Sequence, residues 1–222
     1  PINISQRLNY LIRYPHGCIE QTTSSVFPQL FLTDIVELTD EQKSKIEVNV
    51  KAGIEALKKF QVPDGGFAYW PGNSSSDEWG SSYAGHFLLE AQIKGYAVPE
   101  SMLSSWVKYQ QSRSTLWRKA GDKYVKNDLI MAYRLYTLAL AGKPDMPAMN
   151  RLRESGALSV QASYRLAATY ALAGQKEVAQ GIIQNIPAQV ENYREMDYTY
   201  GSTERDKAML FETLYLTGDA TN

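Results

Sequence analysis

Two side chains near the start of this 222-residue chain could react with each other. Cys18 is the only cysteine, and Gln21 follows it three residues later in segment 14–21, which reads YPHGCIEQ. A cysteine thiolate can attack a glutamine carboxamide, expel ammonia and close an internal thioester. The product would be an acyl group that is reactive toward amines and water. The spacing of Cys18 and Gln21 therefore suggests an internal thioester.

The residues around Cys18 suit such a ring. Helical spacing begins at Cys18, so its thiol is expected in the first turn of a helix, where backbone N–H groups and the helix dipole favour negative charge on sulfur. That charge would make Cys18 a better nucleophile during closure and a better leaving group during capture of a target. Gly17 lets the backbone pack against the ring and adopt a positive φ, and Pro15 fixes the chain that enters it.

A thioester persists only while water and amines are kept away from it. Tyr10, Tyr14 and Phe27 lie close to the ring in sequence and could form an apolar cover. Tyr14 is the nearest of the three and is the predicted shield. The alternative for these aromatic residues is ordinary core packing at helical spacing.

Composition excludes several classes of function. The chain carries 23 Lys and Arg against 24 Asp and Glu, a net charge of −1, so it offers no excess of basic residues for nucleic acid or an anionic membrane. One cysteine excludes an intramolecular disulfide and a Cys-rich zinc site. No apolar run of about 20 residues predicts a membrane-spanning helix. The length suits one well-buried domain, and the abrupt start and end suggest a domain excised from a larger protein.

Apolar residues recur with helical spacing along almost the whole chain, and no stretch alternates as a β-strand between hairpin turns. Gly95, Gly142, Gly174 and Gly218 are expected to end helices as C-terminal caps. The predicted helices span residues 4–13, 18–36, 40–61, 81–95, 99–112, 127–141, 146–154, 160–173, 175–184 and 202–217. The fold is therefore predicted to be all-α.

Long apolar helices alternate with shorter, more polar ones, which suggests helical hairpins in two concentric layers. The uneven spacing of the terminal glycines argues against a tetratricopeptide array, whose period is fixed. We therefore expect an α/α toroid. A closed toroid needs six helix pairs, and about ten helices are predicted, so the last pair is expected to be missing or shortened.

Two motifs carry a resemblance to known families. Segment 61–67, QVPDGGF, resembles turns between helix pairs in terpene cyclases and protein prenyltransferases. The pattern Pro15-x-Gly17-Cys18-x-Glu20-Gln21 resembles the thioester site of the α2-macroglobulin and complement family. Ile19 fills a slot that vertebrate relatives give to glycine, so the resemblance is to the bacterial branch in particular. The order of motifs, from the CxEQ helix to the helix led by Trp79, resembles this family over most of the chain.

The resemblance implies that residues 1–222 form a single thioester-containing domain, with an α/α-toroid fold, of a much larger protease inhibitor. That parent would be exported, and either periplasmic or anchored in the cell envelope. After a protease cleaves a bait segment elsewhere in the parent, a lysine amine of the protease would attack the Gln21 acyl carbon and free Cys18. The implied site is Cys18 and Gln21 as the thioester, Glu20 and Gly17 as motif residues, and Tyr14 as a shield.

The same resemblance implies no metal or organic cofactor and no turnover, so the chain would not be an enzyme. Its expected partners are target proteases and the other domains of the parent, with no nucleic acid and no direct insertion of this domain into a membrane.

The two histidines bear on which nucleophile is captured. In some complement proteins a downstream histidine accepts the acyl group and passes it to hydroxyls, but region 112–126, where it would fall, contains none. His86 lies earlier and is expected to be an ordinary packed or surface histidine. Direct reaction with amines is therefore predicted. His16 replaces the tyrosine or serine usual at its position, and either a local acid–base role or a surface substitution would explain it.

Other functions were weighed against the same residues. A cysteine hydrolase would need a histidine beside Cys18 and an Asn or Asp to orient it, but only His16 is near in sequence. A terpene cyclase would need an Asp-rich motif, and a prenyltransferase a set of zinc ligands near Cys18; the sequence has neither. The remaining alternative is a non-catalytic α-helical scaffold that binds a protein partner and holds an inert, buried Cys18. Reactivity of Cys18 distinguishes the two hypotheses.

Overall fold

The structure is a computed structural model that describes residues 10–119, 127–195 and 199–218. Helices account for the regular structure in these ranges, where the only β-type pairs are three isolated bridges. The helices are α1 (Ile19–Val26), α2 (Leu32–Ile35), α3 (Asp40–Lys58), α4 (Glu78–Ile93), α5 (Glu100–Leu116), α6 (Asn127–Leu140), α7 (Met146–Glu154), α8 (Val160–Leu172), α9 (Lys176–Ile183) and α10 (Thr203–Thr217). The all-α prediction is confirmed.

Many helix boundaries lie at the capping residues that the sequence offers. Thr39 caps α3 by accepting a hydrogen bond from the Gln42 N–H, and the Gln42 side chain returns to the Thr39 N–H. All four glycines predicted as C-terminal caps have positive φ. α7 has the predicted bounds, and the helices from α6 to α10 lie within one residue of theirs.

Three predicted helices differ by three or four residues at one end, since α3 ends at Lys58, α4 begins at Glu78 and α5 ends at Leu116. Two other predicted segments differ more. The predicted helix 18–36 is divided, because α1 ends at Val26 and a 3₁₀ turn (Pro28–Phe31) precedes α2. Pro28 explains the break: it has no N–H, and its ring cannot follow a helical turn without a clash. Most of predicted helix 4–13 lies outside the described residues. Tyr10 and Leu11 are helical, and residues 12–16 have no regular structure.

Contacts divide the chain into two compact units, Pro1–Tyr109 and Gln110–Asn222. In the first unit, α1 packs against α3 and α4. Two glycines allow this close approach: a Cβ on Gly53 would lie 2.8 Å from Val26, and a Cβ on Gly80 would lie 2.7 Å from Ile19. Ile19 and Val26 are fully buried. These contacts fix both ends of the helix that follows Cys18.

The predicted turn at 61–67 is also part of the first unit. The Gln61 side chain donates to the carbonyls of Gly65 and Met102, both at 3.0 Å. Asp64 accepts a hydrogen bond of 2.8 Å from the Gly66 N–H, and Phe67 is fully buried. This polar network fixes the chain between α3 and α4 and brings residue 69 back to the start of α1.

In the second unit, α8 packs against α6, α9 and α10. Its Arg165 is buried: the guanidinium lies 4.1 Å from the centre of the Tyr136 ring and forms a 2.7 Å ion pair with Glu212. Tyr136 donates a 2.9 Å hydrogen bond to the same carboxylate. Charge, aromatic ring and hydroxyl thus stabilise one contact that joins α6, α8 and α10.

Candidate functional site

Cys18 is the N-cap residue of α1, with an extended backbone (φ −70°, ψ 174°) and a side chain only 3% exposed. The next N–H, of Ile19, donates to the Tyr69 carbonyl at 3.0 Å, and the Cys18 carbonyl accepts the Thr22 N–H at 2.9 Å. The cysteine was expected at the first turn, and it lies one residue before the first helical position. Hydrogen bonds to a distant turn and to its own helix hold its backbone.

The Gln21 side chain folds back toward Cys18. Its Oε1 accepts a 3.1 Å hydrogen bond from the Cys18 N–H, in a capping-box arrangement where the Cys18 side chain also faces the Gln21 N–H. The carboxamide occupies the space beside Gly17, where an added Cβ would lie 2.1 Å from Gln21 Oε1. The structure therefore brings together three of the predicted site residues within one helical turn.

Gly17 is required at this position for two independent reasons. Its φ of +96° belongs to the region that residues with side chains rarely adopt. In addition, a side chain would displace the Gln21 carboxamide from its position over the Cys18 N–H. Gly17 thus has the positive φ that glycine permits, and its backbone lies close to the Gln21 carboxamide; packing against a closed ring stays a prediction.

The two partners of the predicted ring differ in exposure. Cys18 is buried, whereas Gln21 is exposed. Gln21 as a residue thus lies at the surface, while Cys18 is covered by protein. This is the arrangement that an acyl donor with a protein-held leaving group needs.

Glu20 points into a hydrogen-bonded network that the sequence analysis missed. Ser24 donates a 2.8 Å hydrogen bond to Glu20 Oε1, and the Ser24 hydroxyl lies 3.2 Å from the Tyr83 hydroxyl of α4. Burial raises the pKa of Tyr83 to about 12; the Glu20 charge adds to the rise, and the Ser24 hydrogen bond opposes it. The spacing of Ser24 four residues after Glu20 was a usable signal. Tyr83, 59 residues from Ser24, gave none.

The three aromatic residues considered as a cover differ in their surroundings. Tyr14 is 62% exposed, and Tyr10 is also exposed, with the Arg13 guanidinium 3.4 Å from its ring centre. Phe27 instead packs in a cluster of rings, with centroids 5.6 Å from Tyr83 and 5.8 Å from Phe87. Phe27 thus fits the core-packing interpretation, and shielding by Tyr14 stays a prediction.

The histidines lie in different environments. His16 is exposed. His86 packs edge-on against Phe27, with a centroid distance of 4.9 Å, and its Nε2 is 3.8 Å from the Glu90 carboxylate. This position agrees with the expectation of a packed histidine.

In the part of the chain that the structure describes, no group of three or more His, Cys, Asp and Glu side chains could hold a metal ion. Across the same ranges, no helix combines the length and apolarity needed to cross a membrane.

Comparison with known proteins now decides the family. The sequence model described as the A-macroglobulin TED domain matches residues 2–129, more than half of the chain. The chain belongs to this family. It is 26% identical to Escherichia coli α2-macroglobulin over 228 aligned residues, which cover 96% of this chain and 14% of the E. coli protein. The chain therefore spans about a seventh of that relative.

Solved structures of bacterial α2-macroglobulins share its fold. Salmonella α2-macroglobulin reacted with methylamine matches 99% of this chain and 16% of its own, with a TM-score of 0.75 and 26% identity. Trypsin-activated E. coli α2-macroglobulin matches 94% of this chain and 15% of its own, with a TM-score of 0.77 and 24% identity. The resemblance to the bacterial branch is confirmed, and the predicted α/α toroid is consistent with this likeness.

Proposed function

We propose that this TED domain of a bacterial α2-macroglobulin forms an internal thioester between Cys18 and Gln21 and uses it to capture proteases covalently. The observation that carries the proposal is the position of the Gln21 carboxamide: it lies beside Gly17, and its Oε1 accepts a 3.1 Å hydrogen bond from the Cys18 N–H. The hydrogen bond holds Gln21 in the same turn as the thiol. The Salmonella relative, a structure reacted with methylamine, adds support, because methylamine is the simplest primary amine that attacks an acyl group.

Ring closure would join Cys18 Sγ to Gln21 Cδ. The thiolate attacks the carboxamide carbon, the C–N bond breaks, and ammonia leaves with the proton that the thiol has lost. The Cys18 N–H, which donates to Gln21 Oε1, is positioned to stabilise negative charge on that oxygen in the tetrahedral intermediate. Gly17 supplies the space for this geometry.

During capture, the Gln21 acyl carbon is again the electrophile, and Cys18 changes from nucleophile to leaving group. A lysine amine of the protease attacks Gln21 Cδ, the C–S bond breaks, an amide forms, and the amine proton leaves for Cys18 or solvent. The exposed Gln21 and the buried Cys18 suit these roles, because the electrophile must be reached from outside and the leaving group need not be. Direct attack by amines is proposed because region 112–126 lacks a histidine that could relay the acyl group.

The proposal extends to the parent protein. Residues 1–222 would act as a single thioester-containing domain, with Glu20 as a motif residue and Tyr14 as part of the shield. The parent would be an exported inhibitor in the periplasm or cell envelope, with a protease-cleaved bait outside this chain. Since each ring reacts once, the chain would not be an enzyme, and its partners would be proteases and neighbouring domains. The chemistry calls for no cofactor.

The test is the intact mass of the full-length parent under non-reducing conditions, with free thiols titrated before and after methylamine. A live thioester gives a mass lower by one ammonia and no Cys18 thiol, until methylamine adds one equivalent and releases it. An unmodified Gln21 with a free Cys18 thiol in the parent would refute the proposal. That outcome would favour the helical scaffold, for which the burial of Cys18 is the supporting observation.

A further inference from the structure

The hydroxyl groups of Ser24 and Tyr83 form a directed chain that ends on Glu20. A serine hydroxyl has one proton, and Ser24 donates it to Glu20 Oε1 at 2.8 Å. In the 3.2 Å contact between the two hydroxyls, Tyr83 must therefore be the donor. The order is Tyr83 to Ser24 to the Glu20 carboxylate. Because burial raises the pKa of Tyr83 to about 12, its phenol keeps this proton at neutral pH.

The Tyr83 ring packs against an aromatic cluster centred on Phe27. It lies 5.6 Å from the Phe27 ring, which contacts Phe87 and His86 in turn. Phe27 is the C-cap residue of α1, so the same helix that carries Glu20 and Ser24 also fixes the tyrosine that reaches them. This network is built into the packing of α1 on α4.

The direction of the Glu20 side chain matters for the proposed ring. Side chains in a helix lean toward its N-terminus, and the first turn of a helix attracts carboxylates. Without a partner, the Glu20 carboxylate would lean toward the turn that holds Cys18 and Gln21. Ser24 lies one turn farther along α1, and its hydrogen bond draws the carboxylate in the opposite direction.

We infer that Ser24 and Tyr83 are positioning residues that hold the Glu20 carboxylate away from the Cys18–Gln21 thioester and so protect it from water. This inference rests on the proposed function. A released carboxylate would act as a general base: water forms a bond to Gln21 Cδ, one water proton passes to Glu20 and then to solvent, and the C–S bond breaks. Cys18 leaves as thiolate, the new carboxylic acid releases the second water proton to solvent, and the Gln21 side chain ends as a carboxylate.

The test is spontaneous thiol release from the full-length parent in amine-free buffer, followed by mass. We expect Ser24→Ala to hydrolyse about tenfold faster, a small part of what a well-placed general base contributes. Tyr83→Phe should give a smaller increase, since Ser24 can still donate to Glu20. Ser24→Thr, which keeps the hydroxyl, should retain the original rate.

A second substitution separates positioning from loosened packing. Glu20→Gln combined with Ser24→Ala should return hydrolysis to the original rate, because the released base is gone. Matched controls are Ser25→Ala, which removes a hydroxyl bonded to the Gln21 carbonyl on the same helix, and Tyr170→Phe, which removes a phenol bonded to Asn150. Both should hydrolyse at the original rate.

The outcomes distinguish the two proposals. Suppose that the thioester forms fully and hydrolyses at the same rate in the unaltered parent, in Ser24→Ala and in Tyr83→Phe. That result overturns the positioning role and leaves the proposed function intact. Fast hydrolysis that persists in the double variant also overturns it, since the base would then not be Glu20. The absence of any thioester in the unaltered parent overturns both.

Discussion

Replacing Gly17 with alanine isolates the geometry on which the thioester proposal depends. The new Cβ would lie 2.1 Å from Gln21 Oε1, and no real Cβ contact is shorter than 3.0 Å. The oxygen must therefore retreat by about 1 Å, a misplacement that costs on the order of 100-fold in rate when reacting groups are pre-aligned. The hydrogen bond from the Cys18 N–H would be lost as well. We expect ring closure in Gly17→Ala to slow by about two orders of magnitude.

The substitution also strains the backbone, so a matched control is needed. Gly95 has a φ of +87°, close to the +96° of Gly17, and its missing Cβ would meet nothing within 4 Å. Both Gly17→Ala and Gly95→Ala should lose about 1–2 kcal/mol of stability through the positive φ alone. Only Gly17→Ala should close the ring more slowly and so contain less thioester at a given time. The measurement is the fraction of each purified full-length variant that releases a thiol on addition of methylamine. Equal thiol release from Gly17→Ala and Gly95→Ala would refute the reasoning.

Three further predictions follow from the same structure. Cys18→Ala should abolish covalent capture of a protease, seen as loss of the high-mass adduct on denaturing gels, with the far-ultraviolet circular dichroism of the helices retained; an adduct of equal yield would end the thioester proposal. Tyr14→Ala should raise the rate of spontaneous thiol release from the parent, and an unchanged rate would show that Tyr14 is no shield. Asp77→Ala should cost about 1 kcal/mol in a denaturant titration, through loss of the α4 N-cap bond to the Gly80 N–H. Asp77→Asn keeps that cap. Because burial raises the pKa of Asp77, ionisation of its carboxyl costs stability as pH rises through the folded-state pKa. Asp77→Asn should therefore be more stable than the original protein at neutral pH and lose that advantage in acid.

Local signals in the sequence predicted the parts of this site that are local in the chain. Gly17, Cys18 and Gln21 are neighbours within one turn, so their spacing sufficed to predict that they meet. Helix ends were equally accessible, because a cap such as Thr39 bonds to residues three positions away. The start of α4 was missed: the helix was predicted from residue 81, whereas Asp77 accepts the Gly80 N–H as its cap.

The rest of the site depends on contacts that span dozens of residues. Nothing near Ser24 in sequence indicates Tyr83, and nothing near Ile19 indicates that its N–H bonds to Tyr69. Glycines give a hint of where helices pack closely: a side chain at Gly53 or Gly80 would collide with α1. Such glycines mark close helix packing only once their neighbours are known, so periodicity could predict the helices but not which of them meet.

The difference in burial between Cys18 and Gln21 connects this packing to the proposed chemistry. Cys18 is buried at the start of a helix that packs against α3 and α4, and the Gln21 carboxamide lies over a residue without a side chain. An amine can then approach the acyl carbon from solvent, while the departing thiolate stays at the N-terminus of α1, where the helix dipole stabilises its charge. The same packing holds Tyr83 beside Ser24, which donates to the Glu20 carboxylate. In this interpretation, the position of α1 decides both how the ring reacts with amines and how well it survives in water.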